Sequence, residues 1–155
     1  MVSRWQGARR DGSGGGRLIL YADGAIRPGS TGLGVVVRDG AGRVVAWRSR
    51  RLHRAMTCNE AEYEALLFGL ETVCVLRPEH VEVRMDSQVV VNQMSGLFTV
   101  RNAALRRLHA HASAAVAALG AIEFVHVPRL RNRLADALAN EAAEGIMLTL
   151  IKSYL

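Results

Sequence analysis

The sequence predicts an α/β fold: one mixed five-stranded sheet, three antiparallel strands followed by two parallel ones, flanked by helices. Three observations carry that prediction. The stretch RLILYAD, Arg17 to Asp23, alternates and is apolar enough for a central strand, and it ends in a carboxylate followed at once by Gly24. Short links join it to two further strand-like runs, which makes an antiparallel start. Near Thr57 the apolar period becomes helical, and strands and helices follow one another from there. The resulting order is three strands, helix, strand, two helices, strand, helix, which is not that of a doubly wound dinucleotide-binding fold.

Residues 1–16 are polar, Gly-rich and basic, with Arg4, Arg9 and Arg10, and read as a flexible tail. After the first strand, Ala25 to Gly32 reads as a turn segment by its Pro28 and Gly29, and Leu33 to Asp39 as a strand. A hairpin turn, Asp39-Gly40-Ala41-Gly42, leads into the third strand, Arg43 to Leu52. From Glu60 an apolar stripe through Ala61, Ala65 and Phe68, widened by Leu66, Leu70 and Val73, predicts a helix to about Leu76, which Arg77-Pro78 ends. Val81, Val83 and Met85 alternate with Glu82 and Arg84 in a fourth strand that again ends in a carboxylate, Asp86. A short helix follows Ser87 and stops at Gly96; Asn102 then caps a long Ala-rich helix from Ala103 to about Leu119. Ile122, Phe124 and His126 alternate with Glu123, Val125 and Val127 in the fifth strand, with His126 a structural residue, and Pro128 ends it. Asn132 precedes the last helix, Arg133 to Glu144, with Gly145 as its C-cap.

With 155 residues, 50% hydrophobic and 22% charged, the chain fits one globular domain, placed at residues 17–145. No apolar run approaches the roughly 18 residues of a spanning helix. The N-terminus lacks the apolar core of a signal peptide, so a soluble, cytoplasmic protein with no membrane partner is expected. Cys58 and Cys74 form no metal-binding spacing and read as buried free thiols. The net charge of +6 suits a polyanionic partner. The apolar stretch 146–155 is expected to dock on the domain, with association through it as an alternative to the default monomer.

Four carboxylates bear on the chemistry. Asp23 and Asp86 end strands, while Glu62 and Asp136 lie near helix starts, so convergence at one edge of the sheet is geometrically easy. Taken singly, Glu60 and Glu62 also read as capping acids and Asp86 as a turn former. Together, four carboxylates repel one another unless cations occupy the site. Oxygen-only ligands point to Mg²⁺ or Mn²⁺, and two ions suit phosphodiester hydrolysis.

The order Asp23-Gly24-Ala25, then Thr57-Cys58-Asn59-Glu60-Ala61-Glu62-Tyr63, then Asp86-Ser87-Gln88, then His126-Val127-Pro128-Arg129 with Asn132 and Ala135-Asp136-Ala137-Leu138, strongly resembles type 1 ribonuclease H. The resemblance covers about residues 17–145 and is to the branch without a basic handle, as in archaeal and some bacterial members. It implies the ribonuclease H-like fold and a two-metal endonuclease that cuts the RNA strand of an RNA/DNA hybrid, leaving 5′-phosphate and 3′-hydroxyl ends. It implies Asp23, Glu62, Asp86 and Asp136 as catalytic, metal-binding carboxylates. Asn59 and Gln88 match minor-groove contacts, and the main chain of Gly24 and Ala25 would approach the RNA sugar hydroxyls. Asn132, Arg129, Arg131 and Arg101 complete the expected substrate contacts, together with Arg106 and Arg107 as basic groups.

The chain also departs from the family pattern. Cys58 stands where the family usually has Asn, the segment after Asp23 is short, and the loop before the last helix lacks the histidine of some relatives. An arginine there, Arg129 or Arg131, is expected to take part of that role. These departures leave two alternatives open: a catalytically silent nucleic-acid-binding module, and a nuclease of the same fold that also takes double-stranded RNA.

Overall fold

In the computed structural model, residues 2–4 and 16–146 are described. One mixed sheet carries strands β1 (Val2–Arg4), β2 (Arg17–Arg27), β3 (Ser30–Asp39), β4 (Val44–Leu52), β5 (His80–Met85) and β6 (Ala121–His126) in the order β1-β4-β3-β2-β5-β6. β2, β3 and β4 pair antiparallel, whereas β5 and β6 run parallel to β2. The five expected strands are all present with their expected directions. The sixth, β1, pairs antiparallel with β4 where the sequence reading had only a tail. Residues 1 and 5–15 of that tail and the expected docking of residues 147–155 lie outside the described residues.

Four α-helices flank the sheet: α1 (Cys58–Val75), α2 (Gln88–Met94), α3 (Ala103–Ala117) and α4 (Arg133–Glu144). A capping box sets the start of α1: Thr57 Oγ1 accepts from Glu60 N at 3.2 Å, and Glu60 Oε2 accepts from Thr57 N at 2.7 Å. Its apolar side, including Ala65, Leu66, Phe68 and Leu70, packs on Leu20, Val35, Val37 and Val83 to form the main core. Asn102 caps α3 by accepting from Leu105 N, and Leu105, Leu108 and Ala112 seat that helix against the same core. The opposite face of the sheet is covered by α4 through Leu134, Ala135 and Leu138 over Val36. Gly32 and Gly34 on β3 have no side chain because α4 leaves none room: an added Cβ would overlap the Ala139 and Ala135 carbonyls respectively. Among the described residues no helix is long and apolar enough to cross a membrane.

Two local expectations are corrected. The segment after Asp23 is not a loop: β2 continues through Arg27, with Ala25, Ile26 and Arg27 paired to Gly32, Thr31 and Ser30, and only Pro28 and Gly29 turn. Asp23 therefore sits inside a long strand, because the ladder with β3 outweighs the apparent stop at Gly24. Cys58 and Cys74 are free but exposed, since each falls on α1 away from its buried stripe.

Candidate active site

The sheet and the two helices that sandwich it place one carboxylate from each of four elements around a cleft of about 410 Å³. Asp23 projects from β2, Glu62 from α1, Asp86 from the end of β5 and Asp136 from α4. Oxygens of Asp23, Glu62 and Asp86 lie within 4.8 Å of one another. Asp136 lines the same cleft just beside that trio.

Gly24 positions two parts of this arrangement. Its N–H donates to Glu62 Oε1 at 3.3 Å, and an added Cβ would stand 2.6 Å from the Ala61 carbonyl oxygen. Its role is close approach of α1 to β2 rather than a chain reversal. Glu60 is the capping acid, whereas Glu62 lies deeper in the helix and turns toward Asp23. The N-terminal reading of Glu62 thus gives way to a site role.

The electrostatics are those of crowded, buried acids. Burial raises the Asp23 carboxyl far above its ordinary range, and the charge of Glu62, the hydrogen bond to Glu62 and the charge of Asp86 raise it further. Burial also raises Glu62, assisted by Asp86 and opposed by the hydrogen bonds from Asp23 and Gly24. Both shifts run in the same direction, toward the protonated form. Glu62 Oε2 is buried and, among the described residues, has no hydrogen-bond partner. A buried carboxylate oxygen left without a donor, on a residue whose carboxylate lies within 4.8 Å of two others, fits a hard divalent cation with oxygen ligands.

Asp136 is held differently. Its Oδ1 receives Asn140 Nδ2 at 3.2 Å, and Arg129 Nη2 lies 3.5 Å away on the solvent side. The structure separates the two candidate loop arginines: Arg129 lines the acidic cleft, while Arg131 lines another cavity with Tyr21, Val36 and Arg38. Asn59, Gly24 and Ala25 border the acidic cleft, as does the exposed Cys58. Gln88 opens α2 and is exposed, and Arg101 is exposed between α2 and α3; neither borders the cleft. Asn132 is corrected as a surface contact: it is 1% exposed, and its Nδ2 donates to the Ala22 carbonyl at 3.0 Å, tying the start of α4 to β2. The ring of His126 lies 3.3 Å from the Asp86 carbonyl oxygen at the strand ends. Arg27 and Asn140, which the sequence reading passed over, also line the cleft. For Asn140 a signal existed, because it falls one helical turn after Asp136 and so on the same side of α4.

A family model described as reverse transcriptase-like matches residues 22–142. The chain is 39% identical to a ribonuclease HI of Halobacterium salinarum over 84% of its own length and 66% of that relative. It is 37% identical to a bifunctional protein of Mycobacterium tuberculosis over 83% of its own length, but it spans 36% of that protein. The crystal structure of RNase H1 from Halobacterium salinarum superposes with a TM-score of 0.80 at 37% identity, covering 84% of this chain and 99% of that one. The structure of LC11-RNase H1 in complex with an RNA/DNA hybrid superposes with a TM-score of 0.78 at 35% identity, covering 83% and 97%.

Proposed function

Because the chain belongs to the reverse transcriptase-like family and is a type 1 ribonuclease H by its similarity to RNase H1, we propose that it is an endonuclease hydrolysing the RNA strand of RNA/DNA hybrids. The observation that carries this reading is the convergence of Asp23, Glu62 and Asp86 within 4.8 Å, with Asp136 at the same cleft. A binding-only descendant has no use for such mutual repulsion, so the cluster favours the enzyme over the silent module.

The residues fit Mg²⁺ or Mn²⁺, with Asp23, Glu62 and Asp86 as the holding groups and Asp136 at the margin. A pair of such ions, when bound, activates an attacking water and stabilises the leaving oxygen. The chain's own groups do the rest. The Gly24 N–H fixes one oxygen of Glu62 and leaves the other, buried and without a donor, available to a cation. The main chain at Gly24 and Ala25 and the side chain of Asn59 form the rim that meets the hybrid, where RNA differs from DNA by its 2′-hydroxyls. Arg129 places a cation beside the scissile phosphate's path, and the remaining exposed arginines, Arg101 among them, supply charge toward the backbone. Hydrolysis breaks the P–O3′ bond, so the ends are a 5′-phosphate and a 3′-hydroxyl.

The test is cleavage of a strand-labelled RNA/DNA hybrid, with duplex RNA and duplex DNA alongside, in Mg²⁺ and separately in Mn²⁺. Cuts confined to the RNA strand of the hybrid are expected from the native protein, and Asp86→Asn should lose at least about a thousandfold in rate while keeping its fold. Turnover retained by Asp86→Asn would sink the assignment. Cutting of duplex RNA would extend the substrate range to that polymer.

A further inference from the structure

Asn140 reaches Asp136 along α4, and both ends of its amide are engaged. Its Nδ2 donates to the Asp136 carbonyl oxygen at 2.8 Å and to Asp136 Oδ1 at 3.2 Å. Its Oδ1 accepts from Arg27 Nη2 at 2.7 Å. Arg27, the last residue of β2, is itself held by Glu144 Oε1 at 3.1 Å and by the Ile26 carbonyl at 2.9 Å. The amide has a single workable orientation, since turning it over would set its oxygen against a carboxylate and its NH₂ against a guanidinium.

We infer that Asn140, locked by Arg27, is a positioning residue that fixes which oxygen of Asp136 turns toward the cleft. The inference rests on the hydrolytic reading above. An Asn within a helix that only bonds back to the carbonyl four residues earlier has a purely local role. Here the same NH₂ also reaches the carboxylate, and an arginine from the strand that carries Asp23 sets its direction. Arg129 is a poor substitute, because its side chain is 78% exposed and its contact with Asp136 is long. Without Asn140, the repulsion of three nearby carboxylates drives Asp136 outward to Arg129 and solvent. The relay thus ties the far end of β2 to the fourth carboxylate.

The experiment compares Asn140→Ala, Arg27→Ala and the double variant with the native protein. It measures kcat and KM on an RNA/DNA hybrid, Mn²⁺ affinity by calorimetry without substrate, and Tm. Asn140→Ala should lower kcat by about 10- to 100-fold and weaken Mn²⁺ binding, with KM for the hybrid within about twofold. Arg27→Ala should show a smaller loss of the same kind, and the double variant should be no worse than Asn140→Ala. A fall in Tm with kcat and Mn²⁺ affinity unchanged would reduce Asn140 to a helix-stabilising residue and overturn the inference. Losses that multiply in the double variant would likewise break the relay. A native protein that cuts no hybrid would overturn the hydrolytic reading instead, and the Mn²⁺ affinities would still decide the positioning role.

Discussion

Two buried carboxylates on neighbouring strands, Glu82 on β5 and Asp23 on β2, are treated in opposite ways. Burial alone would raise Glu82, but hydrogen bonds from Arg84 and Arg17 outweigh it and leave the carboxyl below its ordinary value. A lowered folded-state value means that the ionised form stabilises the fold above the unfolded value of about 4.3 and that this contribution is lost as pH falls through the folded value. Replacing Glu82 by Gln should therefore cost about 1–2 kcal/mol at pH 7 and progressively less as pH falls below the ordinary carboxylate range, checked by urea unfolding at a series of acidic pH values. A constant difference across that range would show that the arginines contribute packing rather than charge. Among the described residues Asp23 has no such partner, and that contrast separates the paired acid from the acid of the cleft. From sequence, Asp23, Glu62, Asp86 and Asp136 stand out because two follow apolar strand runs and two lie near helix starts, while their joint role as a site comes from the resemblance to type 1 ribonuclease H. Asn132 was not: its bond to the Ala22 carbonyl joins residues remote in the chain, and no local pattern encodes it. The choice of Arg129 over Arg131 was equally hidden, because it depends on which side of one short turn each guanidinium leaves.

At the level of elements, the periods of two and 3.6 locate the five strands β2 to β6 and the four α-helices, while the short edge strand β1 and the reach of β2 escape them. Gly24 looks like punctuation in the sequence, yet it is a point where α1 presses on a continuing strand. The same economy governs α4 on the other face, whose Ala135 and Ala139 carbonyls lie against Gly34 and Gly32. Neither glycine has the positive φ of a turn residue, so their absence of a side chain serves approach alone. Gly34→Ala should push α4 off the sheet, costing about 3 kcal/mol or more and lowering Tm, because the obstacle is backbone and cannot move aside as a side chain does. Activity should fall with it, since α4 carries Asp136 and Asn140. Gly16→Ala, at a position open to solvent, is the matched control and should leave Tm within about a degree. Equal tolerance of both substitutions would mean that α4 docks more loosely than these contacts require.

For the molecule as a whole, the site is a place where stability is given up. Asp23 and Glu62 both have raised values in the folded state, chiefly through burial, so the fold holds protons that the unfolded chain releases above pH of about 4. By linkage, the cation-free protein loses stability as pH rises, the reverse of the Glu82 contribution. A divalent ion held by these carboxylates, as the proposed function requires, would offset that deficit by taking the place of the proton in the folded arrangement. At an ion concentration near 100 times its dissociation constant, the gain is about 2.7 kcal/mol, or roughly 5–10 °C in Tm for a domain of this size. Thermal unfolding of the native protein should thus show a rise with Mn²⁺ that is larger at pH 8 than at pH 6, because fewer protons compete. Asp86→Asn, which relieves one repulsion, should melt higher than the native protein without ions and gain little when Mn²⁺ is added. A native Tm indifferent to Mn²⁺ at both pH values would mean that the carboxylates do not act as one cation site in the free protein, and that any ion must arrive with the nucleic acid.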